Sequence, residues 1–251
     1  MSWIEVQARF DPSIADLSPF VEIYREHGIE NTLESRHSLT GCLVDVDGSQ
    51  EAVARLSAAL RSAGATEVSA QPLPEEDWDQ LWRKHFKPRR VGSRFVICPS
   101  WEKYEARPDD LVILLDPGQA FGTGEHATTR MCLELLEKAH LTGKTVLDLG
   151  CGSGILSVAA VKLGALRVVA VDIDPVSVQV ARENAERNGV WYEASTGDGL
   201  DELDGAFDVL VSNIISATLI RLAPDAIRYV QPKGTWILSG VITQNWPDVR
   251  R

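Results

Sequence analysis

Apolar and polar positions alternate from the start of the chain. In WIEVQARF (3–10), Ile4, Val6, Ala8 and Phe10 recur at the period of a strand with one buried face. The period then changes. ADLSPFVEIYREHG (15–28) has helical spacing and ends at Gly28, a C-terminal stop. NTLESRH (31–37) and TGCLVDVDG (40–48) read as two further strands. SQEAVARLSAALRSAG (49–64) is an amphipathic helix that Ser49 can cap and Gly64 can end, and TEVSAQ (66–71) is a fourth strand. The order β-α-β-β-α-β predicts a small ferredoxin-like α+β domain over residues 1–70.

Residues 71–110 read as a connector. QPLPEE (71–76) carries two prolines and is expected to be a linker that lets the flanking parts reorient. EEDWDQLWRKHF (75–86) is expected to form a helix whose Trp78, Trp82 and Phe86 pack inward, and RFVICPSW (94–101) a strand. From about residue 111 strands and helices alternate. KTVLDLG, RVVAVDID, FDVLVSNI and GTWILSG are apolar enough for strands buried on both faces. SGILSVAAVKLGA and PVSVQVARENAERNG are the intervening helices, the second starting at Pro175. ATLIRLAPDAIRYV is a helix interrupted by Pro224. This pattern defines an open, mainly parallel α/β sheet over 111–251, whose ligand lies beyond the carboxyl ends of the strands.

The first such strand end is VLDLGCGSG (146–154). Gly150, Gly152 and Gly154 let the backbone turn sharply and approach a ligand, but Ile155 stands where a dinucleotide site has its last glycine. Asp148 disfavours a pyrophosphate there and suits a cationic group, such as an amine or a sulfonium. The next strand ends at Asp172, where a carboxylate can accept ribose hydroxyls or, alternatively, hold a turn. S-adenosylmethionine combines a cationic sulfur, an amino acid end and a ribose. The segment LDPGQAFGTGEHATTR (115–130) is a Gly- and Thr-rich loop in which Gly118, Gly122 and Gly124 permit tight turns and Thr123, Thr128 and Thr129 offer hydroxyls. His126 is a base or a loop-ordering donor. Asn213, closing a strand in SNII, can position an incoming amine or the cofactor, or simply serve the turn.

Composition narrows the class. At 251 residues the chain accommodates a core domain and an appendage. The formal net charge of −11 makes it a poor general binder of nucleic acid and suits a small cofactor or a basic protein partner. Four scattered cysteines, Cys42, Cys98, Cys132 and Cys151, form no C-x-x-C pair, which points to reduced thiols and to no structural metal. No secretory signal or membrane-spanning run is visible.

DPGQAFGTGEHATT, VLDLGCGSGIL, AVDIDPVSVQVARENAERNGV and VSNI together resemble the PrmA family, the methyltransferases of ribosomal protein L-eleven. The leading β-α-β-β-α-β unit and EDWDQLWRKHFKP (76–88) resemble it too. The resemblance implies a Rossmann-like class I methyltransferase sheet behind a ferredoxin-like substrate-recognition domain. It implies a cytoplasmic, monomeric enzyme that carries methyl groups from S-adenosylmethionine to lysine side-chain and N-terminal amines of one large-subunit ribosomal protein. Carried over, the cofactor contacts fall on Thr129, Gly150, Asp172 and Asn213, with Phe121, Gly122 and Thr123 in the FGTG loop. Asn213 is followed by Ile-Ile rather than by Pro-Pro-Tyr, which argues against DNA-adenine or glutamine methylation. Family members continue past the LSG strand, whereas this sequence ends at VITQNWPDVRR (241–251), so the last strands of the sheet are expected to be missing. The competing readings are a class I methyltransferase with another substrate and a non-catalytic S-adenosylmethionine-binding or protein-interaction module.

Overall fold

The computed structural model describes residues 2–14, 17–29, 32–46, 48–74, 86–116, 122, 124, 126–197, 200, 203, 205–241 and 245–250. The chain divides into two units, Met1–Phe86 and Lys87–Arg251. The proposed helix over 75–86 lies outside the described residues, apart from Phe86, which is buried.

The first unit runs β1 (Ser2–Arg9), α1 (Ser18–Glu26), β2 (Thr32–Ser35), β3 (Ser38–Val44), α2 (Ser49–Ser62) and β4 (Glu67–Pro74). Its strands form an antiparallel sheet in the order β2-β3-β1-β4. Alternation in β1 turns Ile4, Val6 and Ala8 to one face, where they pack with Phe20, Val21 and Tyr24 of α1 and Val53, Leu56 and Leu60 of α2. The buried Tyr24 hydroxyl lies 3.1 Å from the carbonyl oxygens of both Val6 and Leu39, so the phenol is satisfied inside the core.

Two local expectations change. Ser49 is the first residue of α2 rather than its cap. Its hydroxyl accepts from Val46 N at 2.8 Å and donates to Val44 O at 3.0 Å, which orders the approach to the helix. Gln71–Pro74 is not linker. It continues β4, where Glu5 faces Gln71 and Ile4 faces Pro72. β4 is an edge strand, and an edge tolerates residues that cannot donate on its outer side.

The second unit opens with a three-stranded sheet, β5 (Arg89–Val91), β6 (Phe95–Cys98) and β7 (Leu111–Leu114). There follow α3 (Ala127–Lys138), β8 (Thr145–Leu149), α4 (Ile155–Lys162), β9 (Arg167–Asp172), α5 (Pro175–Arg187) and β10 (Glu193–Thr196). β11 (Phe207–Asn213), α6 (Ser216–Ala226), β12 (Val230–Ser239) and α7 (Trp246–Val249) complete it. Strands β10-β9-β8-β11-β12 form a fully parallel sheet in that order. Alternate residues serve two cores. Val146, Val168 and Ala170 pack on one face with Leu133, Leu136, Val158 and Ala181, while Leu147, Leu149, Val169 and Leu210 pack on the other with Phe207 and Ala226. Burial on both faces is why these strands read as continuous apolar runs.

Chain order steps from β8 to β9 to β10, then returns to the other side of β8 for β11. The sheet therefore switches direction between β8 and β11, and in such sheets ligands bind beyond the carboxyl ends of the strands at that point. Asp148 and Asn213 stand at that place. Val211 is the register partner of Asp148, and Asn213, two residues on, points to the same face of the sheet. The four cysteines are buried and free. Among the described residues no helix is long and apolar enough to cross a membrane.

Candidate cofactor site

β8 runs into a turn that no ordinary side chain would favour. Gly150, Gly152 and Gly154 all have positive φ, at 79°, 52° and 75°. The backbone N–H groups of Gly150 and Cys151 donate to Val171 O at 2.8 and 3.1 Å, which staples the turn to the end of β9. A Cβ on Gly150 would lie 2.2 Å from Ile214 Cγ2, and one on Gly154 would lie 2.9 Å from Ala181 Cβ. The glycines thus serve close approach as well as conformation.

Asp172 holds the same turn. Its carboxylate accepts from Gly152 N at 2.8 Å and from Asp174 N at 3.0 Å. Each oxygen keeps a further lone pair, so the turn-holding role and a hydroxyl-accepting role are compatible. Asp174 in turn caps α5, accepting from Val176 N and Ser177 N at 3.0 and 3.2 Å.

Asp148 is fully buried. Ser157, one turn into α4, donates its hydroxyl to Asp148 Oδ2 at 2.6 Å, and Asp148 Oδ1 has no partner among the described residues. Burial pushes this carboxyl up to about 7. The Ser157 hydrogen bond opposes the rise and the charge of Asp172 adds to it. Among the described residues, the titratable groups that interact with Asp148 are Asp172, Cys132, Cys151 and Tyr192, and none is a cation.

On the other side of the switch, Asn213 ends β11. Its Nδ2 donates to Thr129 Oγ1 at 3.2 Å, and its Oδ1 is buried without a partner among the described residues. Thr128 and Thr129, expected in a loop, belong to the first turn of α3, and Thr129 is wholly buried. His126 is the N-cap of that helix. Its Nδ1 lies 2.6 Å from Thr128 Oγ1 and accepts from Thr128 N at 3.3 Å. The ring nitrogen thus accepts in the helix cap, where the sequence reading had offered a donor to the loop. Of the preceding glycine-rich loop, Gly122 is held by Ser153, whose hydroxyl donates to Gly122 O at 2.7 Å, and Asn184 Nδ2 fixes Ser153 O at 2.9 Å. Phe121, Thr123 and Gly118 lie outside the described residues.

The sequence reading missed Ser157, Ser153 and Asn184. Ser157 had a signal, since it is a lone hydroxyl in the otherwise apolar run ILSVAAV. Asn184 had none, because an asparagine in ARENAERNG is indistinguishable from a surface residue until α5 is docked.

A parallel sheet that switches between β8 and β11, with a three-glycine turn after the first strand and acidic residues at Asp148 and Asp172, defines a Rossmann-like class I methyltransferase fold. The family model described as ribosomal protein L11 methyltransferase (PrmA) matches residues 14–251, and the chain belongs to this family. Among curated relatives, the ribosomal protein L11 methyltransferase of Pelotomaculum thermopropionicum is 48% identical over 204 residues, covering 79% of this chain and 66% of that protein. The one from Caldanaerobacter subterraneus subsp. tengcongensis is 40% identical over 243 residues, covering 96% of this chain and 75% of that protein. The crystal structure of a ribosomal protein L11 methylase from Lactobacillus delbrueckii subsp. bulgaricus aligns at a TM-score of 0.62 with 36% identity, over 66% of this chain and 86% of that one. The chain thus spans about two thirds to three quarters of the length of these curated relatives.

Proposed function

We propose that the chain is an S-adenosylmethionine-dependent protein methyltransferase, acting in the cytoplasm on lysine side-chain and N-terminal amines of ribosomal protein L11. The observation that carries the cofactor reading is the pair of buried oxygens at the switch point, Asp148 Oδ1 and Asn213 Oδ1, without partners among the described residues. A buried acceptor without a donor is costly, and here two of them lie at the carboxyl ends of adjacent strands, with no cation acting on Asp148 among the described residues. A ligand that brings a cation with N–H donors satisfies this site, and a dinucleotide pyrophosphate does not. Membership of the L11 methyltransferase family supports the substrate.

In this reading Asp148 and Asn213 take the amino acid end of the cofactor, with Thr129 fixing the Asn213 amide. The spare lone pairs of Asp172 take the ribose hydroxyls. Gly150 and Gly152 let the backbone close on it, and Gly122, tied to Ser153, belongs to the loop beside it. When bound, S-adenosylmethionine supplies a methyl group on a cationic sulfur that an amine can attack in line. The protein's own work is alignment and exclusion of water, which can account for several kcal/mol of barrier. The attacking amine must be neutral, and a desolvated pocket lowers its proton affinity. No side chain here is assigned as a general base. The front unit is the substrate-recognition module in this reading, consistent with its acidic excess.

The test is methyl transfer from labelled S-adenosylmethionine into purified ribosomal protein L11, with Asn213→Ala alongside. Label in wild type, reduced at least tenfold in the variant, is expected, and mass mapping of the label would locate the amines. Calorimetric binding of the cofactor without any transfer to L11 would favour the non-catalytic reading.

A further inference from the structure

We propose that Ser157 is a positioning residue for the cofactor: its hydroxyl occupies one oxygen of Asp148, holds the carboxylate rotamer, and leaves the other oxygen as the acceptor for the cofactor's cationic end. This rests on the reading of the switch point as an S-adenosylmethionine site.

Three observations support it. Ser157 and Asp148 are both wholly buried, so no solvent exchanges for their 2.6 Å hydrogen bond. Ser157 lies within α4, a helix of eight residues whose start is fixed by the Gly154 turn, so the hydroxyl is delivered from rigid backbone. A helical serine would ordinarily bond back to a carbonyl of the preceding turn. Here its hydroxyl donates instead to a carboxylate on the neighbouring strand.

The bond also decides when Asp148 can serve. An acid in this setting is pushed towards its neutral form by burial and by Asp172 of β9, and the Ser157 hydroxyl, with a smaller contribution from the Ser157 backbone N–H, favours the charged form. The other titratable groups around it stay protonated through the neutral range. Cys132 of α3 is pushed up to about 11 by burial, and burial also raises Cys151 of the turn and Tyr192 before β10. Loss of the Ser157 hydroxyl therefore moves the ionisation of Asp148 to higher pH, and a protonated carboxyl no longer accepts at full strength from a cation.

The experiment is calorimetric titration of the whole chain with S-adenosylmethionine from pH 6 to 9, for wild type, Ser157→Ala and Ser157→Thr. Below the Asp148 transition the wild-type affinity is expected to fall by up to about tenfold per pH unit. In Ser157→Ala the fall begins at higher pH, giving at least a tenfold weaker affinity at pH 7 that narrows towards pH 9. Ser157→Thr, which keeps the hydroxyl, restores the wild-type profile. The ligand's own α-amino group titrates in this range, but equally for every variant, so the difference between profiles is the readout. A Ser157→Ala profile that superimposes on wild type, or one displaced equally at every pH, overturns the proposal, since the second is what mere loss of packing would give. Absence of binding by wild type at any pH overturns the reading of the site and this proposal with it.

Discussion

Gly150 and Gly154 turn the chain with nearly the same conformation, φ 79° and 75°, yet a side chain at each would meet different neighbours. At Gly150 the obstacle is Ile214 Cγ2, the end of a side chain that can rotate. At Gly154 it includes Ala181 Cα at 3.1 Å, in the body of α5, which cannot. Both alanine variants carry left-handed strain of about 1–2 kcal/mol. Gly154→Ala should cost a further ~1–3 kcal/mol from overpacking, so its urea midpoint is expected to lie clearly below that of Gly150→Ala. Coincident midpoints would show that the helix yields. Asp148 offers a second test at this scale. Its carboxyl binds its proton more tightly in the folded chain, at about 7 against an ordinary 3.8. The folded state then holds more protons than the unfolded state between those values. That contribution to stability is present at low pH and is lost as pH rises through the window. Asp148→Asn, a neutral isostere, removes the effect. Without cofactor, wild type should lose on the order of a few kcal/mol relative to the variant between pH 4.5 and 7.5, read from urea unfolding. A constant difference would mean that Asp148 is solvated in the native state.

At the scale of elements, the helix starts beside the proposed site are held by different devices. Asp174 caps α5 with two backbone acceptances and a Ser177 hydroxyl bond at 3.0 Å, while His126 caps α3 through its ring. Asp174→Ala is expected to cost about 1–2 kcal/mol in thermal unfolding, while the backbone N–H of residue 174 that anchors Asp172 stays in place. Unchanged stability would place the helix start under control of Pro175 alone. These elements differ in how far the sequence revealed them. The strands ending at Asp172 and Asn213 were legible because burial on both faces leaves an unbroken apolar run with a polar residue at its end. The helix Ala127–Lys138 was not, since its first turn continues a Gly- and Thr-rich segment and its cap is a histidine. Pro224 suggested an interruption, but α6 runs through it to Ala226 and then tightens into a 3₁₀ turn, Ile227–Tyr229. Pro224 has no N–H to donate to the carbonyl of Ile220 one turn back, and the α-helical geometry ends two residues after it. β4 was read three residues short at its end for a related reason, because prolines in TEVSAQPLP looked like linker when they were edge-strand residues. The Ser157–Asp148 pair joins residues nine apart through a strand, a turn and a helix, and no local pattern announces such a contact.

For the whole molecule, the two units keep separate cores, one built on Tyr24, Leu39, Leu56 and Leu60 and the other on the parallel sheet. The proposed roles divide the same way, with the cofactor on the second unit and the protein substrate recognised through the first. Charge bears on the two differently. The chain carries a formal net charge of −11, so a basic ribosomal protein approaches it down a favourable potential that salt screens over about 8–10 Å. The proposed cofactor contacts, Asp148 and the Asn213 amide oxygen, are buried, where added ions reach weakly. Raising salt from 50 to 300 mM should therefore increase the KM for L11 several-fold. The dissociation constant for S-adenosylmethionine should change by less than about twofold, and kcat at saturating L11 should hold. Steady-state kinetics and calorimetry in the same buffers measure all three. A KM for L11 that ignores salt would shift recognition from charge to apolar contact, and a cofactor affinity that falls in step with KM would mean that the Asp148 oxygen is reached by solvent ions after all.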